Sequence, residues 1–462
     1  MKYSNYKIAL YCIAASMLLS FASCSKFVDV GAPSTQIGVH EAYQSDVTAT
    51  SAIIGLYNNS FIDNLTIYFT GYLGCSADDI QYATSSPVYD ELINNALTQD
   101  NANITNLWAS AYSEIYQTNL AIENLNTTNA LTPAVKNQLL GEAKTWRAFM
   151  YFYLVNLFGD VPLELTTDNE INGHMPRTAE DSVWTQIIND LEDAVNLLKP
   201  DYPTGERARI NKYAAMALLA KSYLYTKHWQ EAEETAGQII SSGTYALSTD
   251  LNKAFSNTSN EVIWQIANPT GISTFGSSFL APKGSLPTYI MYDTLYQSFT
   301  SNDLRRQDWT KTDTIGGTPY YYVYKYKDRA GTGDEYDIIF RLAEQYLIRA
   351  EARAKQNNTT GAVSDLNKIR QRAGLSDLDE NSSQDNTLRA VERERKLELF
   401  GEWGNRWLDL KRTPSISGER ELTRADDILR GLKPAWEHTD ILYPIPASQI
   451  TVNSQLIQNK GY

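Results

Sequence analysis

Apolar residues recur along much of this chain at the three-and-four spacing that lines one face of an α-helix. Over residues 104–125, Trp108, Tyr112, Ile115, Tyr116, Leu120 and Ile122 keep that spacing and predict a long helix. Thr132-Pro133 marks the next start, a capping residue followed by a proline whose missing N–H is no loss in a first turn. Leu139, Ala143, Trp146, Phe149 and Tyr153 continue that helix to a break at Gly159-Asp160-Val161-Pro162. Two more pairs are predicted over 212–241 and 340–372, split near Lys227-His228-Trp229 and at Asn357-Asn358-Thr359-Thr360. Residues 392–410 read as one further long, charged amphipathic helix.

The pairs look like copies of one unit. Ala220, Tyr223, Leu224 and Ala232 follow the same pattern as Ala343, Tyr346, Leu347 and Ala362. Small residues facing large ones across a hairpin let tetratricopeptide helices stack, each pair burying its face against the next. The predicted fold class is mainly α: about four tetratricopeptide-like helical hairpins forming a scaffold, with long irregular loops and a few short strands. Inter-helix loops of unequal length keep an unrelated helical bundle as the alternative.

Three stretches have a different texture. Residues 78–103 are rich in Asn, Asp, Ser and Thr, with Tyr82 and Tyr89 among them, and 257–288 carry Gly, Ser, Thr and Pro with Phe275. In 309–332, Gly316-Gly317 precedes Tyr320, Tyr321, Tyr322, Tyr324 and Tyr326, and the alternation of Tyr322, Tyr324 and Tyr326 with Val323, Lys325 and Lys327 predicts a short strand after a turn. Loops this long in a compact chain are usually functional or disordered, and their aromatic content favours function.

The first residues are of another kind. Lys2 and Lys7 precede an apolar run from Ile8 to Leu19, then Phe21-Ala22-Ser23-Cys24. A basic head, a short apolar core and a small-residue cleavage site make a secretory signal over residues 1–23. The run is shorter than the ~20 apolar residues that span a bilayer, and no later stretch approaches that length. A cysteine directly after the small residues resembles a bacterial lipobox and marks Cys24 for acylation, the alternative being an ordinary signal peptide. Of the three cysteines, Cys12 leaves with the signal and Cys24 carries lipid, so Cys75 has no disulfide partner and reads as a small buried hydrophobe. The net charge is −14, or −16 without Lys2 and Lys7 of the leader, which argues against nucleic acid and against charge-driven binding to anionic lipid. Thirty tyrosines and nine tryptophans exceed what a helical core alone requires.

Several blocks carry a family resemblance. Phe27-Val28-Asp29-Val30 follows the lipobox; Arg147-Ala148-Phe149-Met150-Tyr151-Phe152 leads to Phe158-Gly159-Asp160-Val161-Pro162-Leu163. Later come Arg341-Leu342-Ala343-Glu344, Tyr346-Leu347-Ile348-Arg349-Ala350-Glu351-Ala352, Asp365-Leu366-Asn367, Arg372-Ala373-Gly374-Leu375 and Glu392-Arg393-Glu394. Asn405-Arg406-Trp407-Leu408-Asp409-Leu410-Lys411-Arg412, Leu442-Tyr443-Pro444-Ile445-Pro446 and Gln458-Asn459-Lys460-Gly461-Tyr462 complete the series. In this order and spacing the chain resembles the SusD/RagB family of outer-membrane nutrient-binding lipoproteins over nearly its whole length. The resemblance implies an N-terminal part over 24–240 and a C-terminal part with ligand-facing loops over 241–462. It also implies attachment to the outer leaflet through lipid and docking over a SusC-like TonB-dependent barrel, to which captured glycan is delivered. In the RagB branch the ligand is a peptide. Arg147, Glu351 and Arg393 read as structural ion-pair partners.

A sugar-capturing surface needs aromatic platforms for the apolar face of a pyranose and polar groups for its hydroxyls. The candidates are Asp78, Asp79, Gln81, Tyr82 and Tyr89, then Phe275, Tyr289, Trp309 and Tyr320, with packing as the competing role of each. Trp108, Trp146 and Trp184 fall on helix faces at core spacing. Four histidines without ligand spacing, no glycine-rich phosphate loop and no serine elbow give no call for a metal, a cofactor or a catalytic residue. A glycoside hydrolase built on a carboxylate pair and a scaffold for surface proteins are the lesser readings.

Overall fold

A computed structural model describes residues 38–58, 64–267, 273–331 and 333–462. The leader and Cys24 lie outside the described residues. Helices dominate, and the main ones are α1 (Asp46–Leu56), α2 (Pro87–Asn94), α3 (Ala102–Thr127), α4 (Pro133–Phe158), α5 (Glu180–Leu197), α6 (Lys212–Tyr225), α7 (Trp229–Ser241), α8 (Thr274–Phe279), α9 (Leu342–Lys355), α10 (Thr359–Arg372), α11 (Gln384–Leu399), α12 (Asn405–Arg412) and α13 (Arg424–Leu432). Helices α3 to α7 pack each against the next, α7 packs on α9, and α9 carries α10 and α11, which is the serial stacking expected of tetratricopeptide-like hairpins.

The local chemistry explains the starts and stops. Asn101 caps α3, its side chain accepting from the N–H groups of Asn103 at 3.0 Å and Ile104 at 3.3 Å. Thr132 does stand before α4, yet its hydroxyl donates to Asp46 at 3.0 Å instead of capping the helix, so it ties α4 to α1. Helix α4 is buried over most of its second half, around Trp146, Phe149 and Tyr153, and Gly159 ends it at φ 69°. Trp108 is buried with them and Trp184 is packed against the same core. Arg147 is a structural partner as expected, donating to both oxygens of Asp190 at 2.8 and 2.7 Å and to Asn119 at 3.0 Å. Glu351 likewise accepts from Arg412 at 2.6 and 2.8 Å. Arg393, by contrast, is exposed, and it is the buried Arg395 that grips Asp409.

Three antiparallel two-stranded sheets punctuate the helices: β1 (Ile80–Tyr82) with β3 (Tyr289–Met291), β2 (Val262–Ile266) with β6 (Asp337–Arg341), and β4 (Thr310–Ile315) with β5 (Thr318–Val323). Gly316 and Gly317 join β4 to β5 at φ 59° and 87°, the two-residue turn that only positive φ allows. The predicted strand thus exists but lies earlier, since β5 ends at Val323 and Lys325 and Tyr326 are both buried. Two more expectations change. The polar stretch 78–103 contains β1 and α2, and the single helix expected over 392–410 is two, α11 and α12, meeting at an elbow over 400–404.

Candidate functional site

The tyrosine-rich segments converge through β3. Strand β1 places Tyr82 opposite Tyr289 and Gln81 opposite Ile290, and β3 also packs beside β5 of the glycine hairpin. Helix α2, begun by Pro87, returns Tyr89 onto Tyr82, and their rings stack with centroids 3.9 Å apart and planes 8° from parallel. The Tyr89 hydroxyl lies 3.3 Å from that of Tyr289, and Tyr72 meets the Tyr89 ring edge-on at 5.7 Å. Burial pushes the phenols of Tyr72, Tyr89 and Tyr289 up, so they stay neutral hydroxyls able to donate as well as accept. Tyr82, Tyr89 and Gln81 are half-buried and keep surface to offer a ligand.

A second stacked pair lies at the hairpin. Tyr321 on β5 stacks on Tyr296 at 3.9 Å and 14°, and the Arg306 guanidinium lies over the Tyr296 ring at 4.6 Å. Tyr320 is half-buried on the same strand, and Lys311 and Lys327 lie over Tyr324 at 5.1 and 3.9 Å. Tyr321 belongs to a tyrosine run plain in the sequence, but nothing in the sequence signals Tyr296, which reaches its partner from a separate short helix, Asp293–Ser298.

The other candidates turn inward. Asp78 is buried, its carboxylate accepting from Arg406 at 2.6 and 3.1 Å and from Lys396 at 2.9 Å. Burial alone would raise its pKa, but the two cations hold it well below the usual carboxylate range. Asp79 is buried too, accepts from the Gly401 N–H at 3.0 Å, and is pushed up to about 6 by desolvation. These neighbours fasten β1 to the elbow and are not free to hold sugar hydroxyls. Trp309 is fully buried, donates its indole N–H to the Leu251 carbonyl at 2.8 Å, and packs on Phe255 with Lys325 over its ring at 4.9 Å. Phe275 is fully buried and stacked on Tyr326 at 4.6 Å, and Tyr289 is 1% exposed. None of the three can be a surface platform in this arrangement; Tyr289 contributes by backing Tyr89. Of the candidates, Gln81, Tyr82, Tyr89 and Tyr320 keep accessible surface.

Beneath the hairpin lies a buried charge network. Arg341 donates to Glu261 at 2.8 Å, Glu398 at 2.6 Å and Glu402 at 2.8 Å, while Arg305 engages Asp303, Glu394 and Glu398. Lys325 joins Glu402, pinning the segment after β5 to the elbow. Each charge is matched, as burial demands.

Residues 193–462 match the model of the SusD family, and residues 26–224 match a second model described as "Starch-binding associating with outer membrane". Among curated relatives, SusD-like protein P25 of Formosa agariphila is 25% identical, the alignment covering 99% of this chain and 100% of the relative. A SusD superfamily crystal structure from Parabacteroides distasonis superposes with a TM-score of 0.77 at 23% identity, covering 89% of this chain and 99% of the other. A "Laminarin binding SusD-like protein" superposes with a TM-score of 0.75 at 21% identity, covering 91% of this chain and 100% of the other.

Proposed function

The chain belongs to the SusD family, and we propose that it is a glycan-binding lipoprotein of the outer membrane that captures oligo- or polysaccharide and passes it to a partner TonB-dependent transporter. The observation that carries this reading is the pair of stacked, partly exposed tyrosine platforms, Tyr82 on Tyr89 and Tyr321 on Tyr296, gathered around β3. A tyrosine offers a flat apolar face to a sugar ring and a neutral hydroxyl to its edge, and binding of this kind needs no acid, base or metal. Gln81 and Tyr320 supply further polar and aromatic contacts beside the platforms. Names of similar proteins point the same way, one family model being described as starch-binding and one structural neighbour as laminarin-binding. The protein binds and releases its ligand unchanged.

Electrophoresis through gels containing a panel of neutral polysaccharides identifies the ligand, and calorimetric titration then measures its oligosaccharide. Tyr82→Ala and Tyr321→Ala are each expected to weaken binding by about 1–3 kcal/mol, the scale of a lost aromatic anchor, with unchanged melting. Full affinity in both variants overturns the assignment of the site. Retention of oligopeptides with no glycan retained moves the protein to the peptide-capturing branch, and ligand turned over to shorter products indicates a glycoside hydrolase.

A further inference from the structure

Away from the tyrosine platforms, α9, α11, α12, the start of α13 and the loop after α12 line a half-open cavity of about 320 Å³. Its floor is ionic but already matched. Arg412 donates to both oxygens of Glu351 at 2.6 and 2.8 Å and to Asp409, and Arg424 donates to Glu392 at 3.1 Å. Arg395 is 2% exposed and lines the cavity. Its Nε and Nη2 are spent on Asp409 at 2.7 and 3.0 Å, while its Nη1, also buried, has no acceptor among the described residues. A buried guanidinium N–H without an acceptor is costly, and an anion bound in the cavity beside it would favour the buried positive charge.

The rim adds to this. Lys355 and Arg389 line the same cavity and neither forms an ion pair among the described residues, against one unpaired carboxylate, Asp385. Apart from Thr413 the remaining wall is apolar: Leu388, Val391, Pro414 and Ile416, the last 62% exposed. The volume sits at the small end of ligand pockets, which run from roughly 300 to 1,000 Å³. We infer that this cavity is a second binding site, for a small organic carboxylate of monosaccharide or amino-acid size. The carboxylate meets Lys355 and Arg389 above the buried Arg395 guanidinium, and its body rests on the Leu388–Ile416 side. The shared chemistry is one carboxylate on a compact body, which a sugar acid or an acylated amino acid both supply.

Ligand-detected NMR and calorimetry on the full-length protein, with glucuronate, its neutral methyl ester and N-acetyl-leucine as probes, test this. The acids should bind and the ester should not. A Lys355→Gln/Arg389→Gln variant, which leaves the Arg395–Asp409 pairing intact, should weaken the bound acid by about tenfold, as expected for losing charge-assisted contacts. A preference for glucuronate or for N-acetyl-leucine supports the site and names its occupant. Tyr82→Ala and Tyr321→Ala should leave acid binding unchanged, which separates this site from the platforms. Equal binding of ester and acid, unchanged affinity in the double variant, or no acid bound at about 20 mM, a concentration far above any specific site's need, overturns the inference.

Discussion

Asp79 holds its proton more tightly in the folded protein than in the unfolded chain, because burial disfavours its charge and raises its pKa from 3.8 to about 6. Its contribution to stability is therefore complete below about pH 4 and is lost as pH rises through about 6, a change of up to about 3 kcal/mol. Urea unfolding of the wild type and Asp79→Asn between pH 4 and 7 should show a flatter decline in the variant. Glu164, also raised to about 7 by burial, titrates in both and cancels from the comparison. Trp309 gives a second residue-scale test. As a fully buried side chain it should cost about 3–5 kcal/mol when cut to alanine, read by denaturant melts, while glycan affinity of the folded protein stays the same. That contrast with Tyr82 was not legible in the sequence. Both are aromatics in polar surroundings, and what separates them is whether a distant partner, here Leu251 and Phe255, closes over the ring.

At the scale of elements, the elbow between α11 and α12 organises the site's underside. Phe400 leaves the helix in extended conformation, and Gly401, Trp403 and Gly404 take φ 62°, 49° and 65°. Gly401 then donates to Asp79 and the Trp403 N–H donates to Thr70 at 2.9 Å, so the break aims backbone donors at the segment before β1. Apolar spacing through Leu397, Phe400, Trp403 and Trp407 continues across the elbow, which is why periodicity alone reads one helix. The two glycines were the available signal. A methyl group on Gly404 would sit 2.6 Å from the Phe69 carbonyl oxygen and in a left-handed backbone, so Gly404→Ala should destabilise by at least about 2 kcal/mol in thermal or urea melts. The long helices and the hairpin breaks at 226–228 and 356–358 were legible because each is set by nearby residues: Lys227 and Asn357 end their helices at φ 65° and 64°. The sheet pairing β1 with β3 was not, since it joins residues some two hundred positions apart.

On the function proposed above, the whole molecule captures ligand. Its helices stack into a scaffold around a main core that runs from Tyr43 to Leu456 and a second apolar cluster between α9, α10 and α11, and each tyrosine platform joins a short strand to a helix held by that scaffold. Among the described residues no helix is long and apolar enough to cross a membrane; on the proposed function, ligand held at the platforms passes to a transporter chain. A lipid on Cys24 would confine the protein to the membrane plane. Confinement raises the effective concentration of a transporter in the same plane, so even a modest docking surface would hold the pair together. Labelling with an alkyne fatty acid should mark the wild type and not Cys24→Ser. Pull-down of the wild type in mild detergent from its native membrane should recover a TonB-dependent barrel in near-equal amount, and the yield of that barrel should fall in Cys24→Ser because the shared plane is lost. Recovery of the wild-type protein alone across several detergents would place glycan capture with a free surface protein and not with a transporter's lid.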